Sequence, residues 1–422
     1  MLTSVRRPCS PAPLALAVAI VAAGLAPLSQ AAFLEDSNAT LEARNVYFNR
    51  DFREGTGQSK REEWGQGFIL NIQSGYTEGT IGVGLDALGM LGLKLDSSPD
   101  RAGSGVLPVG DSGRAADEYS KLGLTGKLKW SETELRLGTL IPELPTLAPN
   151  DGRLLPQSFE GGLLVSQDIE GLTLTGGRID RTKQRDSTHA ERLALNNKNS
   201  RFAVKAEADH LTMLGFDYRI SETLTGRYHV AELEDVYRQH FFGLLVAKPA
   251  GSGTLSADLR FSISDDQGAS NAGQIDNRAL NGLIGYSLAG HKVSLGYQHL
   301  SGDTGFAYVD GTNPFLVNFV QINDFANAEQ RSWQARYDYN FAAVGIPGLS
   351  FMTRYISGDN ARITGSDARG DEWERNIELR YVLQDGPLKN LGVRLRHASF
   401  RSDFARDADE TRVIVSYTKP IW

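Results

Sequence analysis

Five arginines near the C-terminal end stand beside apolar residues at the spacing of alternate positions. Arg394 and Arg396 alternate with Val393 and Leu395, Arg412 precedes Val413 and Val415, Arg354 adjoins Tyr355, and Arg380 lies between Leu379 and Tyr381. A guanidinium is permanently charged and presents a planar fork of donors, so it holds a carboxylate through paired, charge-assisted bonds. Two residues is the repeat of a strand, which puts each arginine on the face opposite its apolar neighbours. The chemistry that follows is transient binding and relay of small anions, with no bond made or broken. The bland alternative is pairing with carboxylates, which the chain has in excess, 51 Asp and Glu against 44 Lys and Arg.

The elements that must position these residues read as strands throughout. Ile81, Val83, Leu85 and Ala87 alternate with Gly82, Gly84 and Asp86; Leu255 to Ile263, Trp333 to Tyr339 and Ile377 to Leu383 repeat the pattern, each with one apolar and one wet face. Short turns are expected near residues 75–79, 131–132, 170–171, 221–222, 249–253, 288–291, 345–348 and 385–390. They alternate with connections that are mostly long and polar, the longest at 88–117, 141–161, 183–210 and 301–330. Eight short turns alternating with nine other connections give about eighteen strands with both termini at the short-turn end, the asymmetry of an outer-membrane barrel. A soluble sandwich shows no such alternation and rarely remains one domain at this length. The expected fold is therefore all-β, a single transmembrane antiparallel barrel, because only a closed sheet removes its unpaired edges in a bilayer. About eighteen strands enclose a water-filled channel, where about eight would be filled by side chains. Trp130, Tyr228, Trp333, Tyr339, Tyr355, Tyr381 and Tyr417 suit the two interfacial girdles.

The first 31 residues read as a cleavable signal peptide: Arg6 and Arg7, an apolar run from Leu14 to about Leu25, then Ser29-Gln30-Ala31. That run is too short for the roughly 20 residues of a spanning helix. The barrel is then residues 32–422, with no cysteine, since Cys9 lies in the leader. Its charge is 44 − 2 = 42 basic against 51 acidic residues, or −9, which argues against a nucleic-acid partner. A mean hydropathy of −0.30 does not exclude a membrane barrel, in which lipid-facing and lumen-facing residues average out. Trp422 closes the last strand with a terminal aromatic, similar to the assembly signal of outer-membrane proteins, although one register off the Val413, Val415 and Tyr417 face.

Two loops are too apolar to wave in water. Residues 141–159 hold four prolines, and residues 311–325 run through Phe315, Leu316, Val317 and Phe319. Both are expected to fold inward and constrict the barrel, with Arg153 and Ser158 at the neck and Asp324 as an acidic side opposite the arginines. The competing expectation is an extracellular plug in which the loops pack only on each other.

Several phrases resemble the OprD-type porins of pseudomonads: Asn49-Arg50-Asp51-Phe52-Arg53, Asp117-Glu118-Tyr119-Ser120-Lys121-Leu122-Gly123-Leu124, Asn150-Asp151-Gly152-Arg153-Leu154-Leu155-Pro156, Leu172-Thr173-Leu174-Thr175-Gly176-Gly177-Arg178, Glu234-Asp235-Val236-Tyr237-Arg238-Gln239-His240 and Phe351-Met352-Thr353-Arg354-Tyr355-Ile356-Ser357-Gly358-Asp359. The resemblance implies an eighteen-stranded channel for small carboxylates, with a basic ladder through a neck of inward loops. Carried onto this chain, the ladder would include Arg44, Arg153, Arg354, Arg394, Arg396 and Arg412; Arg380 joins it from the alternation alone. The facing of Arg44 is open, because alternation weakens after Ala43. The family divides between cyclic or aromatic carboxylates, favoured here, and basic amino acids or peptides. No cofactor, metal or catalytic residue is expected. The expected partners are small carboxylates, outer-membrane lipid, and periplasmic chaperones with the barrel-assembly machinery, and the expected state is a monomer or weak trimer. An outer-membrane barrel hydrolase would need a nucleophile in context, which the seven scattered histidines do not supply. An adhesin or assembly scaffold would place the function in the outer loops alone.

Overall fold

The computed structural model describes residues 30–422. The expected signal segment thus lies outside the described residues, apart from its last two, which open a short helix α1, Gln30–Glu35. Eighteen strands follow. They are β1 Asn38–Phe52, β2 Lys60–Gln73, β3 Gly82–Asp96, β4 Glu118–Trp130, β5 Thr133–Leu140 and β6 Ser158–Ile169. The middle of the chain gives β7 Leu172–Lys183, β8 Leu211–Ser221, β9 Leu224–Leu233, β10 Tyr237–Ala250, β11 Gly253–Asp266 and β12 Asp276–Leu288. The last third gives β13 His291–Ser301, β14 Arg331–Asn340, β15 Leu349–Arg362, β16 Arg369–Val382, β17 Gly392–Ser402 and β18 Ala408–Pro420.

Each strand pairs antiparallel with the next, and β1 pairs with β18 in the register Val46↔Ile414, which closes the barrel. No strand edge is left to lipid, the condition a bilayer imposes on a spanning sheet. No helix among the described residues is long and apolar enough to cross a membrane.

The eight short turns fall where the sequence places them, down to residues 131–132 and 170–171. The four longest connections are 97–117, 141–157, 184–210 and 302–330. Two boundaries differ. Residues 158–161, expected in a loop, begin β6, and residues 88–96, also expected in a loop, extend β3. The alternation fails there because the inner face also is apolar: Met90 packs on Val106, Leu107, Leu154 and Leu155, which come from inward-folded loops. Gly92 leaves the space filled by the Tyr119 ring, whose hydroxyl donates to the Val106 carbonyl (3.0 Å) and pins loop 97–117 to the wall.

The outward face carries the expected apolar band. Leu122, Leu137, Leu214, Ile284, Leu295 and Leu395 are all exposed on it. Near the long-loop end, Trp333, Tyr355 and Trp373 form a row with ring centroids 5.5 and 5.7 Å apart. At the short-turn end His291, Tyr339 and Phe341 pack with ring centroids 4.4 and 4.6 Å apart, the second pair edge to face. The two rows are the girdles of a membrane barrel.

Candidate functional site: a neck between two cavities

Loops 141–157 and 302–330 fold into the lumen, and they are tied both to each other and to the wall. Ala148–Pro149 pairs with Thr312–Asn313 as a two-residue ladder. Leu147, Leu154 and Leu155 are fully buried, as the apolar character of the loop requires. The second loop is held by a carboxylate of β16: Glu374 accepts the backbone N–H groups of Gln321 (3.1 Å), Ile322 (3.1 Å) and Asn323 (2.8 Å). Loops packed only on each other as an outer plug would not make these bonds to the inner wall.

Between these loops and the wall lies a constricted cavity of about 310 Å³. Six arginines line it, Arg50, Arg153, Arg185, Arg354, Arg396 and Arg412, against one carboxylate, Asp310, which is itself paired with Lys205 (2.6 Å). Toward the short-turn end the lumen opens into a larger cavity of about 980 Å³, lined by Arg336, Arg354, Arg380, Arg394 and Arg396 with Asp338 and Glu378. Arg354 and Arg396 line both cavities.

The guanidiniums are oriented by bonds that leave donors over. Arg412 donates to Glu410 (2.6 Å) and to the loop carbonyls of Gly152 (2.9 Å) and Gln321 (3.0 Å). Glu410 also accepts from Arg50 Nε (2.7 Å), so one buried carboxylate serves two arginines. Arg153 donates to the Ser104 carbonyl (2.8 Å), and Arg50, Arg153 and Arg412 all lie within 5.7 Å of the Phe48 ring centre. Arg354 is held by Asn376 (2.7 Å), and Arg394 and Arg396 share Glu378 at 2.8 and 3.2 Å. Arg185 forms no ion pair among the described residues. Burial first, then the Arg412 and Arg185 charges, push the pKa of Arg153 well below its ordinary value, and burial lowers that of Arg185. Arginine remains a cation in such settings, so the neck holds positive charge at a cost that an arriving anion relieves.

The structure thus brings Arg153, Arg354, Arg380, Arg394, Arg396 and Arg412 into one lumenal path. Arg44 is bonded to Glu42 (2.8 Å) and to Asp151 of the inward loop, but it lies on the short-turn side of the Phe48 and Arg50 level of β1 and is not among the residues lining either cavity. Two expected neck residues sit elsewhere. Ser158 is buried at the first position of β6, where the loop has already rejoined the wall. Asp324 is buried off the neck's lining, where it ties loop 302–330 to loop 184–210 through Arg201 (2.8 Å) and Lys198 (3.5 Å) and accepts from Tyr308 of its own loop (2.8 Å). Arg50, Arg185, Arg336 and Glu374 were not singled out in advance. Parity along β14, where Arg336 shares the wet phase with Gln334 and Asp338, would have found that one.

The Asp324 clamp has a defined pH signature. Burial alone would raise its pKa, but Arg201 and Lys198 outweigh this and hold it below the ordinary carboxylate range. A carboxyl depressed in the folded state contributes stability above its unfolded value, about 4, and loses it as pH falls toward the folded value. Asp324→Asn is expected to cost about 3 kcal/mol. In melting experiments on detergent-solubilised protein, the wild-type advantage should be constant from pH 5 to 8 and shrink only below about pH 4. A difference that grew on acidification would contradict the clamp.

A closed eighteen-stranded antiparallel barrel with a lined internal neck is an outer-membrane porin, a channel and not an enzyme. The family of outer membrane porins named OprD matches residues 31–421, and the chain belongs to it. Among its relatives, the porin-like protein GalP of Pseudomonas putida is 37% identical over 390 residues, 91% of this chain and 92% of that one. The crystal structure of Pseudomonas aeruginosa OccK5 (OpdH) is 56% identical with a TM-score of 0.84, covering 92% of this chain and 99% of that one. Pseudomonas aeruginosa OpdK, solved with vanillate, is 42% identical with a TM-score of 0.87, covering 92% of this chain and all of the other. The protein is accordingly a bacterial outer-membrane porin for small solutes.

Proposed function

We propose that this porin passes small carboxylates by passive diffusion, cyclic and aromatic ones in preference, guided by its lumenal arginines. The observation that carries this reading is the placement of Arg354 and Arg396 on the lining of both cavities. A carboxylate leaving the neck is still within reach of the guanidiniums that receive it below. Weak binding at several successive sites suits conduction, because entry is favourable and exit remains open. The acidic groups at and around the neck are engaged: Asp310 with Lys205, Glu410 with two arginines and Glu374 with loop amides. A cation entering would therefore meet uncompensated positive charge.

The preference for a ring rests on what faces the arginines. Tyr308, Phe319 and Val320 line the neck, giving an apolar surface beside the guanidiniums on which a flat carboxylate can lie. That OpdK was crystallised with vanillate, an aromatic carboxylate, agrees with this reading. Liposome-swelling rates for benzoate, an aliphatic carboxylate of the same charge, and lysine test it. The expected order is benzoate first and lysine last; equal rates for benzoate and lysine would overturn the proposal. We further propose that residues 1–31 are removed on export, leaving the barrel of residues 32–422.

A further inference from the structure

The lipid-facing wall holds a cation that the channel does not use. On the outward face of β16, Trp373, Arg375, Ile377, Leu379 and Tyr381 follow one another at strand spacing, and Arg375 is exposed. Its direct neighbours across the two ladders are Tyr355, which is exposed, and Ser399, which shares the strand phase but is buried. Other outward arginines on the wall have a carboxylate: Arg238 pairs with Glu232 (2.7 Å), Arg278 with Asp276 (2.9 Å), Arg331 with Asp359 (2.6 Å) and Arg401 with Asp409 (3.0 Å). Arg375 has no carboxylate within 4.0 Å and no hydrogen-bond acceptor among the described residues.

Its depth makes the absence of a partner informative. Trp373 belongs to the girdle at the long-loop end, and Tyr381 lies near the short-turn end of the same strand. At a strand rise of about 3.3 Å per residue and a tilt of about 40°, Arg375 lies roughly 5 Å below Trp373 and directly opposite Tyr355 of the same girdle, at the upper margin of the apolar band. An ion there costs free energy unless a counter-ion comes to it, and its stem is long enough to carry the guanidinium up to the headgroup level. The outer leaflet is built of phosphorylated glycolipid, whose phosphates stand at that level above the acyl chains. A guanidinium presents paired donors to phosphate, and the exposed girdle tyrosine Tyr355 stands directly beside it.

We propose that Arg375 is the anchor of a binding site for a lipid phosphate of the outer leaflet, on the outside of the barrel wall between Tyr355 and Ser399. The partner is the phosphorylated glycolipid itself, recognised jointly by its phosphate and by the acyl chains lying on Ile377, Leu379 and Leu395.

Melting of the purified barrel in detergent provides the test, with four conditions compared: no addition, bisphosphorylated lipid A, dephosphorylated lipid A, and inorganic phosphate. The bisphosphorylated lipid should raise the melting temperature of the wild type, and the other two additions should not. Arg375→Gln should lose most of the increment, Arg375→Lys should retain part of it, and Arg238→Gln, whose arginine is already paired, should behave as wild type. Carboxylate conductance of Arg375→Gln should be unchanged, which also shows that the variant is folded. An undiminished increment in Arg375→Gln would overturn the site. An equal effect of dephosphorylated lipid, or of inorganic phosphate alone, would overturn recognition of a lipid phosphate. A wild-type oligomer that dissociates in Arg375→Gln at equal lipid content would show that the surface faces a second copy of the chain instead.

Discussion

Replacing Arg354 and Arg396 together by glutamine is expected to reduce benzoate flux by about tenfold or more while leaving the barrel assembled. A hydrogen bond to a charged group contributes about 1.5–3 kcal/mol, and about 1.4 kcal/mol is a factor of ten in occupancy. The pair matters more than any other two arginines because they alone line both the neck and the lower cavity among the candidate ladder residues. Their removal opens a gap that a carboxylate must cross without a partner. It also leaves Glu378, on the same path, with one arginine partner, Arg394, where it had two. Glutamine preserves the bond of residue 354 to Asn376 in kind, and both positions face water, so folding should be spared. Swelling rates with benzoate and planar-bilayer ion selectivity read the effect. The companion variant Arg394→Gln and Arg396→Gln, suggested by strand parity alone, should lower flux less, since Arg354 would still span the junction. Wild-type benzoate rates in the Arg354 and Arg396 variant would end the relay reading.

Glu374→Ala should have the opposite sign on conductance. Three backbone N–H groups of loop 302–330 end on this one buried carboxylate. Removing it leaves buried donors unmet, at about 1–3 kcal/mol for each that finds no water. The loop segment 321–323 is then expected to leave the wall and take with it the Gln321 carbonyl that orients Arg412. Single-channel conductance should rise and discrimination between benzoate and bulkier anions should fall. Glu374→Gln keeps one acceptor oxygen and should give an intermediate phenotype. The measurement is conductance in planar bilayers together with swelling rates for carboxylates of increasing size. A narrower or unchanged channel would show that the loop is held by other contacts.

The sequence made the wall legible because a strand's parity is a local property. Leu255 to Ile263 alternate in the sequence and lie within β11, and the polar phase of the last strands located Arg354, Arg380, Arg394, Arg396 and Arg412 without any knowledge of the neck. Parity failed where the inner face is covered. Residues 88–96 looked like a loop because Met90 contacts other loops and not water. Loop positions were the least legible. Ser158 and Asp324 were expected at the neck from composition, but a loop has no repeat that tells which side chain points where. Arg185 escaped notice for the same reason, being brought to the cavity by the path of loop 184–210. Glu374 could be assigned to the lumenal face, but its three amide partners are 51 to 53 residues distant.

The pairing of β1 with β18 has a consequence in time. Every other ladder of the wall joins strands that are neighbours in the chain, so each can form as soon as its two members exist. The seam between Val46 and Ile414 joins the first segment to the last, the greatest sequence separation in the molecule. Local pairings come early and distant ones late, because loop-closure entropy must be overcome first. Until that seam zips, β1 and β18 are two open edges with no tolerable place in hydrocarbon. Insertion and closure are therefore one event, and the chain is committed to the membrane only when its final strand arrives.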